Sequence, residues 1–120
     1  MRTAAERQAA DGFGRRGEDA AAAWLERRGW TVLDRRVKTK AGEVDLVARR
    51  AGLVAFVEVK VRRTAAALDF AIDERRLQRV AAAAELLMER YAGAGDDIRV
   101  DVLLIAPGAP PRLIENAWQP

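Results

Sequence analysis

The chain has 120 residues, 50% of them apolar and 32% charged, the balance of one ordinary globular domain around a single core. It contains no cysteine and no histidine, which excludes disulfides, thiolate zinc sites, cysteine nucleophiles, Ser-His-Asp triads and nucleases that use a histidine base. The net charge of +3, from 21 basic and 18 acidic side chains, is only a weak pull toward nucleic acid.

No apolar run approaches the roughly 20 residues that a membrane span needs, and Met1 to Ala10 lacks the hydrophobic stretch of a signal peptide. A cytoplasmic protein without a membrane partner is therefore expected. Residues 1–11 read as a flexible N-terminus and 12–120 as one domain without linker or repeat. From Gly12 to Arg28, Phe13, Ala20, Ala21, Trp24 and Leu25 recur with helical spacing, and Gly29 supplies a left-handed stop. Trp30 to Leu33, continuing toward Val37, reads as a strand, and Lys38 to Gly42 as a loop. Val44 to Ala48 and Leu53 to Val61 are rich in β-branched and apolar residues, with Arg50, Ala51 and Gly52 as a tight turn between them. A second helix is predicted from Asp73 to Tyr91, with Leu77, Val80, Ala81, Ala84, Leu87, Met88 and Tyr91 on one stripe and Gly93 as its stop. Ile98 to Ile105 reads as a buried strand. After Pro107 to Pro111, a short final strand covers Leu113 to Ala117. The expected order is α-β-β-β-α-β-β, an α/β fold.

The central hairpin fixes where its charges lie. With Ala51-Gly52 as a two-residue turn, cross-strand partners place Val47 opposite Phe56, Asp45 opposite Glu58 and Glu43 opposite Lys60, all on one side. Val44, Leu46 and Ala48 against Val59, Val57 and Ala55 then form an apolar face that can cover a helix. A three-residue loop would set Asp45 opposite Val57, so the even-length loop is preferred.

Two carboxylates placed opposite each other repel and call for a cation. A hard divalent ion, Mg²⁺ or Mn²⁺, is held by one or two carboxylates, waters and substrate phosphates, which suits Asp45 and Glu58. Lys60 can activate the attacking water or stabilise charge developing on phosphorus. It is one of only three lysines among the 21 basic residues, and an arginine bias makes a lysine informative. An ion-pair cluster of Glu43, Asp45, Glu58 and Lys60 at a solvent-facing edge is the competing explanation. Basic residues come in doublets, Arg15-Arg16, Arg27-Arg28, Arg35-Arg36, Arg49-Arg50, Arg62-Arg63 and Arg75-Arg76, several of which flank the acidic cluster, with a solvated surface as the alternative reading of each.

Asp45, followed across the turn by Glu58-Val59-Lys60, resembles the Asp, Glu-x-Lys signature of the restriction-endonuclease-like superfamily. Gly14, Gly17-Glu18, Ala21, Leu25 and Gly29 before GEVDLVA and FVEVKVRR, with Arg99-Val100-Asp101-Val102 after helix two, are together similar to the YraN family of small bacterial proteins. The likeness covers roughly residues 12 to 118. It implies a mixed central β-sheet flanked by helices, with Asp45 and Glu58 as metal ligands and Lys60 as base or charge stabiliser. Glu18 matches an additional acidic metal-site residue of resolvase-like members, with surface pairing as its alternative; Asp101 also fits, or is a buried structural carboxylate. Arg75 stands where the family commonly has a lysine, and Asp34 where an asparagine-containing turn is frequent.

Three functions remain open at this point: a Mg²⁺- or Mn²⁺-dependent endonuclease acting on DNA, including branched or recombination intermediates; a nucleic-acid-binding module of the same fold without cleavage; and a carboxylate glycosidase, which lacks the expected aromatic sugar platform. Cutting two strands with one site per chain calls for a homodimer, for which Trp30, Trp118 and the Ala-rich flank of helix two either offer a surface or belong to the core.

Overall fold

Thr3 and Glu6 start the first helix, α1 (Ala4–Arg27), with a reciprocal cap: the Glu6 N–H donates to the Thr3 hydroxyl at 3.1 Å and the Thr3 N–H donates to the Glu6 carboxylate at 3.2 Å. The structure, a computed structural model, describes residues 3–118, of which residues 7–13 are described by their backbone alone. Residues 4–11, expected as a flexible tail, are helical, because the Thr3-x-x-Glu6 cap initiates the helix upstream of Gly12 and Gly14. Phe13, expected on the buried face, lies outside the residues whose side chains are described. The helix ends as its sequence predicts. Gly29 takes φ 88°, its N–H donates to the Glu26 carbonyl, and the Trp30 N–H donates to the Leu25 carbonyl, while Trp30 and Leu25 share one core cluster.

Five strands follow in a single sheet of order β1-β2-β3-β4-β5: β1 (Thr31–Lys38), β2 (Glu43–Arg50), β3 (Leu53–Val61), β4 (Asp97–Ile105) and β5 (Arg112–Ile114). All neighbours are antiparallel except β3 and β4, which are parallel. The crossover between those two carries α2 (Glu74–Tyr91), preceded by a short 3₁₀ turn (Ala66–Phe70) that the sequence pattern does not predict. The element order is otherwise the expected one. The final strand stops at Ile114, three residues short of Ala117, because Asn116 turns the chain with φ 53°.

Helices cover both faces of the sheet. α1 buries Ala21, Ala22 and Leu25 against Leu46, Ala48, Ala55, Val57, Val59 and Leu103. On the other face α2 buries Leu77, Val80, Ala83, Ala84 and Leu87 over Val47, Val54, Phe56, Val102 and Leu104. Ala83, not expected on the stripe, is buried, whereas Met88, expected on it, is 36% exposed. Trp30, 4% exposed, belongs to the α1-side core, and Trp118, partly buried, packs against the α2-side core. No helix among the described residues is long and apolar enough to cross a membrane.

The hairpin register is the expected one, with Val47 opposite Phe56 and Arg50 opposite Leu53. Ala51 and Gly52 both have positive φ, 47° and 79°, the geometry of a type I′ turn, in which a side chain with a β-carbon is unfavourable. Ala51→Asn, a residue that tolerates this conformation, is expected to stabilise the fold by about 0.5–1 kcal/mol in urea unfolding, with unchanged m-value.

Candidate active site

The acidic cluster forms where β2 and β3 part. β3 keeps its pairing with β4 through Val61 and β2 stays with β1 to Lys38, but the ladder between β2 and β3 ends at Leu46 and Val57. Past that point the Asp45 carboxylate takes over. Its Oδ2 accepts from the Val59 N–H at 2.8 Å, filling the role of a ladder carbonyl. The side-chain alternation breaks here as well: Val44 joins the α2-side core, whereas Leu46 and Ala48 join the α1 side. The expected continuous apolar face from Val44 to Ala48 is thus split, and Glu43 pairs with Lys38 of β1, outside any ladder with Lys60.

Glu58 is 3% exposed. Its Oε1 lies 3.2 Å from Arg76 Nε and 3.6 Å from Lys60 Nζ. Its buried Oε2 has no hydrogen-bond partner among the described residues, a costly state for a carboxylate oxygen. Burial, and then the neighbouring Glu58 charge, push the Asp45 carboxyl up to about 7 against the lowering effect of the Val59 N–H. Two crowded carboxylates, one with a buried unpartnered oxygen, are a donor set that a hard divalent cation fits. Asp45 and Glu58 would hold it.

Glu18 approaches this cluster from α1. The approach depends on Gly17, where an added β-carbon would stand 2.3 Å from a Val61 methyl. Glu18 raises the Asp45 carboxyl slightly, but its own oxygens are engaged in a fork by Arg36 at 2.7–3.1 Å. No group of three acidic side chains close enough to share an ion occurs among the described residues. The sheet therefore brings Asp45, Glu58 and Lys60 together, and sets Glu18 at the margin.

Asp101 plays a different part. It is fully buried, its two oxygens accept from Arg99 at 2.8 Å each, and the Asn116 N–H donates to one of them at 2.9 Å. With its partners supplied by its own strand and by the end of the chain, Asp101 anchors the segment after β5 and is structural. Asp34 likewise accepts from the Tyr91 hydroxyl at 2.7 Å, tying β1 to α2.

Two residues of the site, Arg36 and Arg76, stand out in the sequence only as members of arginine doublets. Arg76 had a usable signal: it precedes Val80, Ala83 and Leu87 by four, seven and eleven residues on the stripe that faces the sheet, whereas Arg75 is exposed to solvent. Arg36 had none, because it sits in β1 with φ 51°, beside the place where Asp45 leaves the regular pairing.

A five-stranded mixed sheet between helices, with Asp45 and Glu58-Val59-Lys60 at the splayed strand pair, makes this a small mixed α/β domain of the expected architecture. Residues 17–105 match the model of the uncharacterised protein family UPF0102, and the chain belongs to that family, also called YraN. It is 61% identical to a UPF0102 protein of Erythrobacter litoralis over 96% of this chain and 99% of that one. A UPF0102 protein of Sphingopyxis alaskensis is 55% identical over 95% and 98% of the two chains, and one of Rhizorhabdus wittichii 53% identical over 98% and 95%.

Proposed function

We propose that the chain is a metal-dependent nuclease that hydrolyses phosphodiester bonds in DNA, with branched or recombination intermediates as its substrates. The observation that carries this reading is the buried, unpartnered Oε2 of Glu58 beside Asp45, with the Lys60 ammonium 3.6 Å from the other oxygen of the same carboxylate. The ion pairs alone leave that buried oxygen uncompensated. A bound Mg²⁺ or Mn²⁺ would supply Lewis acidity and a more acidic water. Asp45 and Glu58 hold the cation, and Asp45 is itself fixed by the Val59 N–H. Lys60, positioned by Glu58, orients the attacking water and stabilises charge growing on the phosphoryl oxygens. One site per chain calls for two copies wherever two strands are cut.

The test is cleavage of labelled single-stranded, duplex, flapped and four-way-junction DNAs with Mg²⁺ or Mn²⁺. Wild type is expected to cut, with a preference for the branched substrates, and Lys60→Ala to lose about 10²- to 10³-fold in rate while still binding. Binding without cleavage by wild type would replace the reading with that of a nucleic-acid-binding module. Neither binding nor cleavage would leave the cluster structural.

A further inference from the structure

Four carboxylates and three cationic side chains meet at the cluster. Arg36 and Arg76 each feel Glu43 and Asp45 as well as the carboxylate they bind, and Lys60 sits against Glu58. With all groups charged, the cluster is one unit negative. A divalent cation would make it one unit positive, and the excess would fall on whichever cations are freest to move.

Arg36 and Arg76 are those cations. They come from opposite layers of the fold, Arg36 from β1 on the α1 side and Arg76 from the first turn of α2, and each holds a different carboxylate. Arg36 forks onto Glu18, and Arg76 reaches Glu58 Oε1 through one nitrogen at 3.2 Å. Both keep much of their side chain in solvent, 47% for Arg36 and 36% for Arg76, against 17% for Lys60. A phosphate can therefore reach either guanidinium without opening the core. The guanidinium fork matches phosphate as well as it matches carboxylate. Arg36 also holds a left-handed backbone conformation within a strand, a local cost of the kind that concentrates at functional sites.

We propose that Arg36 and Arg76 are exchangeable counter-cations: they neutralise Glu18 and Glu58 while no divalent ion is bound, and transfer to backbone phosphates of the nucleic acid when one is. The inference rests on the reading of the cluster as a divalent-cation site in a nuclease. It makes cation and DNA binding mutually reinforcing, because each ligand releases what the other displaces, and such coupling is reciprocal. Glu58, once released by Arg76, still has Lys60 beside it, so the site stays partly compensated during the exchange.

The experiment uses the full chain and two readouts other than cleavage. Mn²⁺ is titrated calorimetrically without nucleic acid, and a labelled four-way-junction DNA is bound in EDTA and in Ca²⁺ over a range of salt. In wild type, Ca²⁺ is expected to tighten DNA binding at least fivefold, roughly the lower end of typical coupling between sites. Arg76→Met should bind Mn²⁺ about three- to tenfold more tightly, since a competitor for Glu58 is gone, and Arg36→Met should do so too, since a positive charge acting on Asp45 is gone; each should lower the slope of log affinity against log salt by about one. The double variant should lose the Ca²⁺ dependence of DNA binding. Should Arg76→Met fail to fold, Arg76→Lys carries the test, since it keeps the charge but loses the guanidinium contact with Glu58 and must still bind Mn²⁺ more tightly than wild type; should Arg36→Met fail to fold, Arg36→Gln takes its place, since it too removes the charge. Unchanged Mn²⁺ affinity and salt slope in folded variants would overturn the exchange and leave the nuclease reading standing. Weaker Mn²⁺ binding would also overturn it, by making the arginines organisers of the cation site. Failure of wild type to bind Mn²⁺ would overturn both.

Discussion

Asp45→Asn is expected to stabilise the cation-free protein at pH 8 by about 2 kcal/mol, roughly 8 °C in melting temperature for a domain of this size, while removing metal-dependent cleavage. Burial, followed by the Glu58 charge, raises the Asp45 carboxyl from 3.8 to about 7. The folded state thus favours the protonated form, and the stability this contributes is fully present below about pH 4 and is lost as pH rises through 7. Wild type should therefore weaken steadily between pH 4 and pH 8. The Asn variant keeps an oxygen to accept from the Val59 N–H and carries no charge, so its stability should be flat across that interval. Saturating Mg²⁺ should flatten the wild-type profile too, by stabilising the ionised form, and should leave the variant's unchanged. Urea unfolding at pH 5, 7 and 8.5, with and without Mg²⁺, reads all three effects. An equal slope in wild type and variant would show that Asp45 is not the group responsible.

Gly17→Ala should destabilise the fold by about 2–3 kcal/mol, a large effect for one methyl group. Its β-carbon would lie 2.3 and 2.9 Å from the two Val61 methyl carbons and 3.1 Å from the Val61 β-carbon, and all three belong to a short, stiff side chain on a strand paired at both edges over part of its length. Since Val61 cannot swing aside, α1 must lift off β3. The neighbouring residue is Glu18, so the same displacement should loosen its fork with Arg36. Val61→Ala removes the two colliding methyls, and in the double variant at least about 1 kcal/mol should be recovered relative to the sum of the single changes. Helix propensity alone would make Gly17→Ala stabilising by about 1 kcal/mol, so a stabilised single variant, or strictly additive effects in the double variant, would show that the Val61 contact does not require the glycine.

Much of the site was legible because a β-hairpin leaves few choices. The apolar alternation of Val44 to Ala48 and Leu53 to Val61 demanded an even-length loop, the pairing sum followed, and the observed register agrees with it residue for residue from Leu46 to Arg50. Gly29 likewise announced the end of α1. The start of α1 was less legible: the Thr3-x-x-Glu6 cap is present in the sequence, but Gly12 and Gly14 weaken the helical signal downstream of it.

What the sequence by itself determined is the set of local preferences: the elements, the turn, the hairpin register and the chemical kinds of residue gathered near the β2–β3 opening. Only the tertiary structure decided where the hairpin stops being a hairpin. β3 is held by β4 and β2 by β1, and the competition between these two neighbours pulls the pair apart beyond Leu46 and Val57. That divergence turns Asp45 from a cross-strand partner of Glu58 into a cap on the Val59 N–H, leaves one Glu58 oxygen buried without a partner, and admits Arg36 and Arg76 from two layers distant in the chain. The physical reason is range. Periodicity and turn chemistry act over a few residues, whereas the balance of charge at this site is set by side chains from α1, β1, β2, β3 and α2 that only the packed sheet brings within reach of one another.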